Sequence, residues 1–151
     1  MELIKARELA IELMEKHDLM ISGWRFEFDN AKRRYGCCNY TNKRITLSRH
    51  LVELNSEENV TNVILHEIAH ALTKGHGHDS VWRRKALSIG CDGNRCYKSD
   101  EVEKPKGNYK AVCCGCGREV YKFRAPKSKQ SCGRCSRTFD PNLLLVFKKV
   151  A

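Results

Sequence analysis

Along residues 2–17 the apolar positions Leu3, Ile4, Leu9, Ala10, Leu13 and Met14 recur at nearly helical spacing and predict an amphipathic helix. The pattern then changes period. In "GWRFEFDN", Trp24, Phe26 and Phe28 alternate with charged residues, and in "NKRITLS", Ile45 and Leu47 alternate with Arg44, Thr46 and Ser48. Both stretches read as strands. Asn55 or Ser56 is placed to cap a helix from about Glu57 to Thr73, with Gly75 just past its end, and Asp79 or Ser80 to cap another reaching about Ile89, stopped by Gly90 and Cys91. "SDEVEKPKGN" is polar and reads as a linker. Beyond it, "YKAV", "REVYKFR" and "NLLLVFKKV" read as short strands set around cysteine pairs.

The second predicted helix, with the turn after it, carries an unusual polar set. "VILHEIAHALTKGHGHDSVW" holds four of the six histidines of the chain. A helix turns about 100° per residue, so with His66 at zero, His70 lies at about 40° and Glu67 at about 100°. Leu65, Ile68, Ala69 and Leu72 fall on the opposite side and form a buried stripe. The histidines are thereby expected on the solvent or cleft face. Two imidazoles one turn apart can share a metal ion, and a glutamate between them can reach a water on it; this is the HExxH pattern of zinc peptidases. A helix with chance surface histidines is the bland alternative. A catalytic zinc takes three protein ligands and leaves one position open. His76 and His78 both compete for third place: His76 lies six residues after His70, whereas His78 precedes a capped helix and has Trp82 four residues beyond it to orient the ring.

Charge divides the chain. Residues 1–103 hold 16 lysines and arginines against 16 acids, and residues 104–151 hold 12 against 2, so the net charge of +10 sits in the last third. Such a basic tail suggests a polyanion as partner, a soluble basic surface being the alternative. Cys113, Cys116, Cys132 and Cys135 form two C-x2-C pairs with 15 residues between them, the spacing of a closed structural zinc site, and Gly115 and Gly117 suit a tight knuckle. Two disulfides are the rival reading. Cys114 is a spare neighbour with some chance to compete with Cys113. Cys91 and Cys96 read as two small apolar thiols packed in a turn, and His17 and His50 as surface residues. No stretch approaches the roughly 20 apolar residues of a membrane span. The acidic N-terminal segment lacks a signal-like apolar run, so an intracellular location, cytoplasmic or nucleoid-associated, is expected.

"HEIAHAL", a Gly-rich turn and then "HDSVW" resemble the SprT-like, or Spartan, metalloproteases, and "RRYGCCNYTNKRITLSRHLVEL" resembles the strand segment preceding the metal helix in that family. The resemblance runs from about residue 20 to the end. It implies His78 as third ligand, because Trp82 sets the register of the family's HGxxW/F element; Asp79 stands where the family often has glycine. It implies an α+β fold, with a small zincin-like domain over 1–98, a linker over 99–108 and a β zinc ribbon over 109–151. It further implies a catalytic zinc on His66, His70 and His78, Glu67 as catalytic residue, a structural zinc on the four ribbon cysteines, and protein substrates bound or crosslinked to DNA, which stimulates cleavage.

An extended substrate could add along an exposed strand edge such as "RITLS". The basic ribbon is expected to bind DNA, single-stranded or partly unpaired, through Lys122, Arg124, Lys127 and Lys129, with Tyr109, Tyr121, Phe123 and Phe139 divided between base stacking and strand packing. Two other classes stay open: a zinc hydrolase with a non-peptide or RNA substrate, and a non-catalytic DNA-binding module with a structural zinc, for which an intact Glu67 would be unnecessary.

Overall fold

The computed structural model describes residues 1–96 and 102–150. The chain forms two compact units, Met1–Pro105 and Lys106–Ala151. In the first, helix α1 (Leu3–Lys16) buries Ala6, Ala10 and Met14, one residue per turn on one face. Two alanines there let α1 lie close against its neighbour. Ile4, part of the expected stripe, is 72% exposed because it points off that face.

Strands β1 (Arg25–Asp29), β2 (Gly36–Asn39) and β3 (Arg44–Ser48) form one sheet in the order β1-β3-β2. β1 runs parallel to β3, and β2 antiparallel to it. The segment "RITLS" is therefore the central strand and not an edge, contrary to expectation. Its alternation conceals this, since Ile45 and Leu47 face the core while both of its backbone edges are paired. β1 and β2 are the edges, and the "GCCN" of β2 carries no period-two signal.

A short helix α2 (Arg49–Leu54) follows, unforeseen from the sequence, with Ser48 accepting from the Leu51 N–H. Helix α3 (Glu57–Leu72) is capped by the Ser56 hydroxyl, which accepts from Asn59 N–H, and carries Glu57 and Glu58 at its positive end. α3 is buried on every side from Val63 to Ala69, with His66 and Glu67 only 5% and 6% exposed. Of the two faces expected for the histidines, solvent or cleft, the fold gives the cleft: His66, Glu67 and His70 line it, and β2 and helix α4 (Ser80–Ser88) pack against α3 beside it. Burying a carboxyl and an imidazole is costly unless a specific interaction retains them.

Val102 packs into the core of this first unit, and Glu103 exchanges two backbone hydrogen bonds with the Asn55 side chain. This part of the expected linker is thus fastened to the first unit; residues 99–101 lie outside the described residues.

The second unit pairs β4 (Tyr109–Val112) with β5 (Glu119–Lys122) and with β6 (Lys148–Lys149), all antiparallel. "NLLLVFKKV" is mostly not a strand: Pro141–Leu143 forms a 3₁₀ turn begun by the Asp140 carboxylate, which accepts from Asn142 N–H, and only two residues reach the sheet. Ala111, Cys113, Cys132 and Leu145 make its small core. The architecture is α+β, with a four-cysteine ribbon at the C-terminal end. Among the described residues no helix is long and apolar enough to cross a membrane.

Candidate metal centre

α3 brings His66 and His70 onto one side of a cleft, and the turn after it brings in His78. Gly75 makes that turn at φ 90°, a left-handed conformation that glycine adopts without strain. Asp79 then caps α4, accepting from the N–H groups of Val81 and Trp82 at 3.0 Å each. The cap fixes the backbone of His78 and aims Trp82 at the histidines. His78 Nε2 lies 3.0 Å from His66 Nε2 and 3.0 Å from His70 Nε2. One ligand atom from each of the three rings lies within 4.8 Å of the others.

This set fits zinc. Tetrahedral ligands about 2.05 Å from a shared ion stand roughly 3.3 Å apart, close to the separations found. Desolvation, reinforced by neighbouring histidines, lowers His66 and His70 to about 4, and desolvation and Arg95 lower His78. The rings are accordingly neutral at pH 7, as metal ligands must be. Tyr40 Oη donates to the His70 carbonyl at 2.9 Å and braces the last turn of α3. His76 stands apart: its Nδ1 meets Asp79 Oδ2 at 2.7 Å, which draws the ring away from the cluster.

Glu67 shares a cleft of about 610 Å³ with the three histidines. Burial pushes its carboxyl up to about 8, opposed by the charge of Arg34. Arg34 is itself tied to Asp29 at 2.5 Å. Arg33, Gly36, Arg95 and Cys96 also line this cleft. Arg33, Arg34 and Gly36 went unnoticed in the sequence, where "RRYG" shows only a charge run and a glycine; it is the packing of β2 against α3 that brings them to the cleft. The paired-thiol reading of Cys91 and Cys96 does not hold. Cys91 is buried with Leu65, Ala69, Trp82 and Ala86, whereas Cys96 is exposed and lines the cleft. His17 and His50 are half-buried.

In the ribbon, Cys113 Sγ lies 3.8 Å from Cys135 Sγ, and Cys116 Sγ 3.7 Å from Cys132 Sγ. Four sulfurs about 2.3 Å from a tetrahedral zinc would stand about 3.8 Å apart, whereas a disulfide holds them at about 2.05 Å. All nine cysteines are free thiols, so the disulfide reading falls. Backbone N–H groups of Cys135 and Arg134 lower the Cys132 thiol, favouring the thiolate that binds metal, while contact with Cys116 and burial raise Cys135. Gly117 turns the knuckle at φ 69°. Cys114 points elsewhere, to the Asn142 carbonyl at 3.2 Å.

Of the cations expected to meet DNA, Arg124, Lys127 and Lys129 are exposed. Lys122 instead bonds Gln130 Oε1 and covers the Phe147 ring at 5.3 Å. Phe139 is 55% exposed, and Tyr121 lies beneath Lys106 and Lys110.

The family model described as "SprT-like family" matches residues 7–101, and no curated protein matches the chain. That span is more than half of the chain and contains the whole histidine cluster, Glu67 and Trp82. The chain therefore belongs to the SprT-like family and carries a metallopeptidase-type domain.

Proposed function

We propose that the chain is a zinc-dependent peptidase that hydrolyses proteins bound or crosslinked to DNA, with the basic ribbon recruiting it there. The observation that carries the peptidase reading is the placement of a buried, protonatable Glu67 in one cleft with three converging imidazoles. His66, His70 and His78 would hold the ion. A zinc ion held there would supply Lewis acidity toward a water and the scissile carbonyl, and its charge would favour the ionised form of Glu67.

Glu67 then takes the proton of the attacking water and returns it to the leaving amine nitrogen. A carboxyl whose pKa has been raised toward neutrality is suited to both transfers. Tyr40 braces the His70 backbone at the end of α3. Strand β2 presents its unpaired edge beside α3, and an extended peptide adding there would lie across the cleft that Gly36, Cys38 and Tyr40 line.

The charge split supports recruitment to DNA, because phosphate contacts dominate nucleic-acid affinity and the whole net charge lies in residues 104–151, most of it in the ribbon. Four zinc-bound thiolates offset about two of those charges and leave the ribbon strongly basic. The test is proteolysis of a DNA-binding protein by the zinc-loaded chain, with and without single-stranded DNA, beside Glu67→Gln. Cleavage that needs Glu67 and rises with DNA supports the proposal. Cleavage of nucleic acid in place of protein would move the chain to the hydrolase alternative.

A further inference from the structure

Gly36 is the first residue of β2 and pairs with Leu47 of β3. Its backbone does not require glycine, since its φ lies outside the left-handed region. A strand position facing the core would ordinarily take a larger residue, and a glycine there marks a close approach by something else. Here the neighbour is the catalytic carboxyl. A Cβ at position 36 would lie 2.6 Å from Glu67 Oε1, 2.8 Å from its Cγ and 3.0 Å from its Cδ. No other glycine in the first unit meets so close a neighbour: the next, Gly93, leaves 3.1 Å to Leu87.

We infer that Gly36 is a positioning residue for hydrolysis: the space of its missing side chain is where the Glu67 side chain lies. This rests on the peptidase reading above. The flexible partner in the collision is the outer part of Glu67, while β2 is held by its ladder to β3 and α3 is buried all round. A methyl group at position 36 therefore displaces the carboxyl and spares the fold. The three ring nitrogens, contributed from α3 and the turn before α4, keep their places. The predicted defect is specific: the metal site forms, substrate binds, and the proton-transferring group is out of line.

The experiment compares wild type, Gly36→Ala, Glu67→Ala and the double variant as full-length, zinc-loaded chains. Zinc content, thermal midpoint, kcat and KM on an unstructured peptide are measured. Gly36→Ala is expected to keep both zinc ions and to hold KM within about twofold. Its kcat should fall about ten- to hundredfold, the usual scale for misplacing a reacting group by about 1 Å. Its thermal midpoint should drop in the Glu67 background and not in the Glu67→Ala background, where the vacated space accepts the methyl group. A kcat within about twofold of wild type in the folded, zinc-replete variant overturns the inference, and so does an equal midpoint shift in both backgrounds. If the wild type hydrolyses no peptide, the peptidase reading fails, and the stability comparison alone decides whether Gly36 makes room for Glu67.

Discussion

The indole of Trp82 meets the imidazole of His78 edge-on, ring centres 4.5 Å apart at 77°. The same indole stacks on His70 at 5.2 Å and 26° and stands 4.7 Å from His66. One buried side chain thus touches all three rings, and the Asp79 cap places it. Trp82 is an orienting wall for the metal site as well as a core residue.

Replacing Trp82 should consequently harm both roles. Trp82→Ala is expected to lower affinity for the catalytic zinc about 10–100-fold, the usual effect of removing an outer support of a ligand. It should also destabilise the first unit by about 3–5 kcal/mol through the cavity left behind. Trp82→Phe should recover most of the stability and part of the affinity. Chelator competition and thermal denaturation read the two effects separately.

Metal content separates the two centres. The wild type is expected to hold two zinc ions per chain, since the His₃ and Cys₄ groups are distinct. His66→Ala and His78→Ala should each lose one ion and stay folded. His76→Ala should retain both, because its ring is paired with Asp79 outside the cluster. Cys113→Ala should lose the other ion and unfold the ribbon, whose core is little more than Ala111, Leu145 and two of the cysteines themselves. A single zinc in the folded wild type contradicts this scheme.

The metal-free protein should show a stability maximum near pH 6.5. His66 and His70 have folded pKa values lowered to about 4 from 6.5, so the unfolded chain binds more protons between these values and stability rises with pH there. Glu67 is raised to about 8 from 4.5, so the folded chain binds the extra proton and stability falls as pH climbs through that window. The two histidines outweigh the one carboxyl below about 6.5, and Glu67 acts alone above it, at up to about 1.4 kcal/mol per pH unit. Glu67→Gln should keep the rise and lose the decline. Urea denaturation of the chelated protein at pH 5, 6.5 and 8 provides the check; a wild type still gaining stability between 6.5 and 8 excludes a buried, protonated Glu67.

DNA affinity is expected to depend on the exposed ribbon cations. If about six of them meet phosphates, the log–log salt slope on single strands should be about −4. Arg124→Glu, Lys127→Glu and Lys129→Glu together should flatten the slope and abolish stimulation of proteolysis by DNA. Peptide hydrolysis without DNA should survive, because these positions lie outside the unit that holds Glu67. Lys122→Glu should behave differently and loosen the ribbon, since Lys122 is engaged with Gln130 and Phe147. Equal DNA binding by the triple variant and the wild type would place the contacts elsewhere.

Residues close in sequence carried most of what could be read without a structure. The three-residue gap between His66 and His70 places both on one helix face by helical periodicity alone. Ser56 and Asp79 announced their helices because a cap is a bond between a side chain and backbone two or three residues away. The two C-x2-C pairs announced the ribbon because the chemistry of a thiolate site needs little beyond its ligands. Tertiary structure decided the rest. Whether "RITLS" is edge or centre depends on where β2 lies, and β2 has neither the length nor the alternation to show itself. Spacing left His76 and His78 both open; the fold brings His78 beside His66 and His70, while His76 pairs with the Asp79 carboxylate that also caps α4. Glu67 looks like a cleft-facing charge on a helical wheel and is nearly inaccessible in the fold, because Gly36, 31 positions earlier in the chain, leaves the one space its side chain occupies. Desolvation and close approach are properties of what surrounds a residue, and only packing brings those surroundings together.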